Sequence, residues 1–178
     1  MLLECSNLPG MEFKPAALSD IPEIADLFLR CWHVSYADVL SLEARDSMNL
    51  ESATELWSKA MSTNLERKTF LALENEEFIG VFRVGGDPQF SQRGHLFSLY
   101  VSPSSTGKGY GKLLLERAME EISSDGFGEM SLWVFNDNTI AKSLYLKYGF
   151  AATGEQRITP EWNALEVEMV NPRITVKS

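Results

Sequence analysis

The stretch that decides the reading is Leu99-Tyr-Val-Ser-Pro-Ser-Ser-Thr-Gly-Lys-Gly-Tyr-Gly-Lys-Leu-Leu-Leu115. A strand over His95 to Val101 runs into three glycines at alternate positions, Gly107, Gly109 and Gly111. A helix from about Gly109 to Ser123 follows, with Leu114, Leu115, Ala118 and Ile122 on its inner face. Alternating glycines let successive backbone N–H groups turn toward one point. That point lies at a helix N-terminus, where the macrodipole also favours an anion. The segment therefore predicts a phosphate cradle, with Lys108 and Lys112 adding positive charge. The alternative is a glycine-rich turn that only joins strand to helix. Spacing argues against two other phosphate loops. A Walker A loop needs Gly at 106 and Ser or Thr at 113, where Thr106 and Leu113 stand. The dinucleotide fingerprint needs Gly at 112, where Lys112 stands.

A second segment carries a second pattern: Leu132-Trp-Val-Phe-Asn-Asp-Asn-Thr-Ile-Ala-Lys-Ser-Leu-Tyr-Leu-Lys-Tyr-Gly-Phe150. A strand over Met130 to Phe135 leads into a helix from Thr139 to Tyr148, stopped by Gly149. Asn138, Ala141 and Tyr145 are spaced three, four and seven apart and so share one helix face and line one groove.

Together, Leu99 to Phe150 resembles the GCN5-related N-acetyltransferase (GNAT) family. That family's loop reads Arg or Gln, two residues, Gly, one residue, Gly or Ala; Gly109 and Gly111 match, and Thr106 departs at the first position. The departure puts in doubt one side-chain contact to a pyrophosphate and leaves the backbone cradle intact. The family's second signature, Asn-x-x-Ala-x-x-x-Tyr closed by Gly-Phe, matches at Asn138, Ala141, Tyr145 and Gly149-Phe150.

The resemblance implies an α/β fold of the α+β type: one domain with a mixed, mostly antiparallel central sheet flanked by helices. It implies acetyl-CoA as co-substrate, no metal, and direct transfer to an amine. The cofactor contacts it implies are Leu99, Tyr100, Val101, Thr106, Gly107, Lys108, Gly109, Tyr110, Gly111, Lys112, Asn138, Ala141 and Tyr145. Ala141 would leave room for the pantetheine arm, Asn138 would bond its amides, and Tyr145 would be the general acid at the departing thiolate. Backbone N–H groups around Leu99 to Val101 would polarise the thioester carbonyl. Family members often place a Glu on the central strand, a few residues before the glycine loop. His95 holds about that place and is the candidate base, the alternative being a structural histidine. His33 is a second candidate near the amine. Glu166 and Glu168 are expected to face solvent. Trp32 and Tyr36, and further along the chain Trp162, are candidates for the wall of the amine site, the alternative for Trp32 being the core.

Outward from these segments, Glu12 to Ala17 reads as a strand. Asp20 is expected to cap the next helix, with Pro22 in its first turn and Glu23 completing a capping box. Ile24, Leu27, Phe28 and Cys31 form its stripe. A second helix spans about Glu51 to Met61. A hairpin joins Thr69–Leu73 to Glu77–Val84 through Glu74-Asn75-Glu76, and Gly85-Gly86-Asp87-Pro88 ends it. Leu165 to Val170 is the last strand. The order is β-α-α-β-β-β-α-β-α-β, a mixed α/β sheet in one domain over 11–172, with a flexible extension at 1–10 and a tail at 173–178.

The chain has 178 residues, 44% of them hydrophobic, enough for one core. Sixteen Lys plus Arg against 25 Asp plus Glu give a net charge of -9, which argues against a duplex nucleic-acid partner and mildly favours a cationic substrate. Cys5 and Cys31 lack metal-ligand spacing and suit a reducing compartment. No stretch has the length of a membrane span and the N-terminus has no signal-peptide pattern, so the expected location is cytoplasmic, off the membrane. The expected function is transfer of an acetyl group to the primary amine of a small, polyamine-like molecule. The alternatives are a protein or peptide N-terminal acetyltransferase and a non-catalytic acyl-CoA sensor. A homodimer is left open by the resemblance.

Overall fold

The structure is a computed structural model and describes residues 10–63 and 65–174. The expected N-terminal extension, apart from Gly10, lies outside the described residues, as do Cys5 and residues 175–178.

Among the described residues seven strands and five α-helices follow one another as β1 (Met11–Pro15), α1 (Ile21–Arg30), α2 (Leu42–Asp46), α3 (Leu50–Thr63), β2 (Lys68–Glu74), β3 (Glu77–Gly86), β4 (Gly94–Val101), α4 (Tyr110–Ser124), β5 (Met130–Phe135), α5 (Thr139–Lys147), β6 (Ala151–Thr159) and β7 (Ala164–Asn171). They build one sheet in the order β1-β2-β3-β4-β5-β7-β6. Every neighbouring pair is antiparallel except β4 with β5. The mixed, mostly antiparallel sheet flanked by helices is therefore what the chain forms.

Side-chain alternation gives the sheet two buried faces. One packs on α4 and α5 through Phe82, Leu96, Leu114, Leu132, Tyr145 and Met169. The other packs on α1 and α3 through Phe28, Trp32, Trp57, Leu71, Val81 and Phe135. The β2–β3 hairpin turns on Asn75 and Glu76, both at positive φ (49° and 70°), the geometry of a two-residue turn whose twist matches the strands.

Three local expectations need correction. Asp20 does not cap α1. Its carboxylate reaches back to accept from the Ala17 N–H at 2.8 Å, so a 3₁₀ turn over Leu18–Asp20 precedes the helix. Two elements were also missing from the sequence reading. The five-residue α2 is too short to show a period; its N-cap Ser41 accepts from Ala44 N–H at 3.1 Å. The edge strand β6 is exposed along nearly its whole length, so it carries no apolar alternation.

The feature that positions the site lies between β4 and β5. Their ladder covers only Gly94–Leu96 against Met130–Leu132. Beyond Leu96 the strands part, and the β4 edge from Phe97 to Val101 has no partner on that side. β4 also bulges: Ser98 opposes Arg83 and Leu96 opposes Val84, leaving Phe97 as the extra residue. Bulges re-aim side chains beside functional sites.

Candidate active site

The glycine turn comes first. Gly107 and Gly109 have φ of 78° and 90°, a left-handed conformation that glycine adopts without strain, and a Cβ added at either would meet nothing within 4 Å. Gly109 is the N-cap of α4. None of the backbone N–H groups from Gly107 to Gly111 has an acceptor among the described residues. A row of open donors at a helix N-terminus is the chemistry of an anion site. Lys108 is exposed beside it. Lys112 lies 3.9 Å from Glu116, so its charge is shared. Two side chains in the turn point elsewhere. The Thr106 hydroxyl donates to the Pro103 carbonyl at 2.9 Å. Tyr110 is buried in the α4 core, with its hydroxyl on Glu74. For both residues, the backbone is what faces the turn.

The second motif meets the first across α4 and α5, where Leu144 lies 3.5 Å from the position a Gly111 Cβ would take. Asn138 is the N-cap of α5, and its Oδ1 accepts from Ala141 N–H at 3.1 Å. That leaves the Nδ2 group of Asn138 for a ligand. Ala141 is half-buried against the core. Tyr145 is buried, its ring centroid 5.8 Å from that of Phe150. Burial pushes its phenol up to about 12. Its hydroxyl has no hydrogen-bond partner among the described residues.

Tyr145 is close enough to Tyr36 and Tyr100 to add to the rise that burial imposes on both of those phenols. Leu99 and Val101 point to the α4 core and Tyr100 to the α1 core, so the parted end of β4 contributes its backbone and one phenol. Cys31 lies beneath it as a buried free thiol, donating to the Val101 carbonyl at 3.2 Å. Burial raises that thiol to about 12, and it stays unreactive.

A π-helical turn over Cys31–Ser35 extends α1 and sets the aromatic wall. Trp32 is 1% exposed, and its indole N–H donates to the Ala44 carbonyl at 3.2 Å. Trp162 packs on it at 4.6 Å between centroids and Tyr36 at 5.8 Å. Trp32 is thus the floor under the less buried Tyr36 and Trp162. His33 is exposed, with Nε2 3.2 Å from the Met48 carbonyl.

On the same face of the sheet, a cavity of about 340 Å³ is lined by His95, Phe97, Trp133 and Asp87 among others. The Ser131 hydroxyl donates its one proton to Asp87 Oδ2 at 2.5 Å. It must then accept from His95 Nδ1–H, 2.6 Å away, which leaves Nε2 as the bare nitrogen. Asp87 is held by the N–H groups of Gln89 and Phe90 and by Arg93. Burial is the main cause that pulls His95 down to about 4; Asp87 opposes it, and nearby arginines add to it. Glu166 and Glu168 also line this cavity, and Glu168 is 7% exposed. Their expected solvent-facing orientation is therefore wrong, because they sit opposite Phe135 and Trp133 on the inward face of β7.

Sequence reasoning does not find Asp87 and Arg67, which line this cavity, or Ser131 and Arg93, which bond to its lining residues. None belongs to a motif, and in the sequence Asp87 reads only as part of the Gly85-Gly86-Asp87-Pro88 strand end. A larger, mainly apolar hollow of about 500 Å³ is lined by Ala16, Met61 and Phe70 among others; Arg67 stands between the two and lines both. Among the described residues no cluster of His, Cys, Asp or Glu could hold a metal, and no helix is long and apolar enough to cross a membrane.

Comparison with known proteins identifies the family and the fold. The family model described as "Acetyltransferase (GNAT) family" matches residues 21–150. A spermidine N(1)-acetyltransferase of Thermoplasma acidophilum is 26% identical over 145 residues, covering 79% of this chain and 88% of that one. An uncharacterized N-acetyltransferase of Bacillus subtilis, YuaI, is 25% identical over 128 residues, 70% of this chain and 72% of its own length. The crystal structure of a PaiA N-acetyltransferase from Thermoplasma acidophilum in complex with coenzyme A superposes with a TM-score of 0.67 at 23% identity, over 89% of this chain and 97% of that one, and so shares the fold.

Proposed function

This chain belongs to the acetyltransferase (GNAT) family, and from that premise we propose that it transfers the acetyl group of acetyl-CoA directly to the primary amine of a small molecule. One observation carries the proposal: a row of unpaired N–H groups from Gly107 to Gly111 stands beside the gap where β4 and β5 part, with Tyr145 buried on the neighbouring helix. The spermidine acetyltransferase among the relatives supports a small-molecule acceptor.

In this reading the N–H groups of Gly107 to Gly111 hold the pyrophosphate, helped by Lys108 and Lys112. Ala141 and the Nδ2 group of Asn138 flank the pantetheine arm. Bound acetyl-CoA supplies the thioester. Phe97 to Val101 of β4 offer backbone groups that no strand uses, suited to orient and polarise a carbonyl. Tyr145 keeps its proton throughout the neutral range, as a proton donor must. The burial that raises its pKa also makes full transfer harder. Most of its contribution is then a hydrogen bond to the charge developing on sulfur.

His95 is the base in this proposal. Its Nδ1–H is tied through Ser131 to Asp87, which fixes the tautomer and leaves Nε2 to take the amine proton. The burial that holds its pKa near 4 leaves it unprotonated at neutral pH and also weakens it as a base, so it takes the proton only as the neutral amine forms its bond to the carbonyl. Tyr36 and Trp162, resting on Trp32, wall the approach of the amine.

Release of free thiol from acetyl-CoA over polyamines, amino acids, aminoglycosides and short peptides tests the proposal. Release dependent on one small-amine class supports it. Release with peptides alone, or none despite tight acetyl-CoA binding, contradicts it.

A further inference from the structure

The charged side chains at the cavity beside His95 close into pairs, with one exception. Arg93 bridges Asp87 and Glu168 at 2.8 Å each. Arg157 lies 2.6 Å from Glu166. Arg67 lines the same cavity and has no ion-pair partner among the described residues. Its Cζ sits 3.9 Å from the centroid of the Phe97 ring. Such a stack fixes the plane of the guanidinium and leaves its N–H edge open.

The backbone is shaped to allow this placement. Gly85 faces His95 across the β3–β4 ladder. A Cβ there would come within 3.0 Å of Arg67 Cγ and 3.3 Å of its Cα. Glycine lets the arginine lie close over the sheet. Burial lowers the Arg67 pKa, and no neighbouring carboxylate raises it. A half-buried guanidinium without a counter-charge is costly, and no anion among the described residues offsets that cost.

We propose that this cavity binds a carboxylate carried by the acceptor, with Arg67 as the residue that receives it. The acceptor is then an amino acid or a similar zwitterion rather than a bare polyamine. Calling the carboxylate the acceptor's rests on the acetyl-transfer reading; the anion site itself does not. A polyamine would need free carboxylates, whereas Asp87, Glu166 and Glu168 are each already bound by an arginine. The planar fork of an arginine matches a carboxylate with two parallel bonds. A volume of about 340 Å³ suits a small molecule.

The test is calorimetric titration with lysine, ornithine, arginine, histidine and tyrosine. Each is paired with the amine of the same skeleton lacking the carboxylate: cadaverine, putrescine, agmatine, histamine and tyramine. At least one amino acid should bind roughly ten- to a hundredfold tighter than its amine. Arg67→Gln should remove that difference, and Arg67→Lys should restore part of it. If no amino acid outbinds its amine, or the preference survives Arg67→Gln, the inference is overturned. Thiol release with the same pairs separates the two readings. A carboxylate preference in binding without thiol release would keep the anion site and remove the acetyl-transfer reading. Thiol release without any carboxylate preference would do the reverse.

Discussion

Tyr145 and His95 are both uncharged at neutral pH, and burial shifts their pKa values in opposite directions. It raises the phenol to about 12 and lowers the imidazole to about 4. In the proposed mechanism one holds a proton to give and the other a lone pair to receive one. Tyr145→Phe should lower kcat about a hundredfold and leave the affinity for acetyl-CoA unchanged, read by steady-state kinetics beside calorimetry. His95 also makes a prediction for stability. Its folded pKa of about 4 lies below its usual 6.5. Between those values the unfolded chain binds the extra proton, so stability falls as pH drops from about 6.5 to 4. The contribution at stake is on the order of 3 kcal/mol. Urea unfolding across that range should show a flatter pH dependence for His95→Gln than for the wild type; parallel curves would contradict the burial of a neutral imidazole. At this scale the sequence was only partly legible. Asn138, Ala141 and Tyr145 could be placed on one face by helical spacing. The use of Asn138 Oδ1 as a helix cap, and the bond from Thr106 to Pro103, depend on loop geometry that spacing does not contain.

Among the elements, α4 links the glycine turn to the core. Its inner face of Leu114, Leu115, Ala118 and Ile122 is completely buried, which pins the N-terminus of the helix against the parted end of β4. Leu114→Ala should cost about 2–5 kcal/mol, seen as an earlier urea midpoint with an unchanged slope. A cost below about 1 kcal/mol would mean that the helix is not anchored as described. Elements with a clear period, α1, α3, α4 and α5, were legible because one stripe of each meets the sheet. The β6 strand was not, because it pairs with β7 alone and exposes nearly every residue, including Gly154 at a φ of 96° within a register shift. The parting of β4 from β5 also escaped the sequence, since pairing is a relation between strands far apart in the chain.

Taken as one molecule, the sheet separates the two parts of the proposed site. The open N–H groups lie by α4 and α5, and the histidine cavity lies on the α1 and α3 face. The gap between β4 and β5 is where the two sides can meet. The charge of -9 opposes the approach of any polyanion, so the local field of the turn must outweigh the field of the whole protein. The two motifs made the proposed coenzyme side legible, whereas the cavity proposed for the acceptor is built from Arg67, Asp87, Arg93, Ser131 and Glu168, which only folding brings together.

The most direct test of the account is calorimetric titration of acetyl-CoA into wild type, Gly109→Ala and Gly109→Asp, with thermal unfolding of each. An alanine Cβ at 109 would enter open space and bear only the strain of a φ of 90°, about 1–2 kcal/mol. Aspartate adds a negative charge in the middle of the cradle. Gly109→Asp should stay folded and lose at least a hundredfold in affinity, while Gly109→Ala should lose far less. Wild-type affinity in a folded Gly109→Asp protein would contradict it.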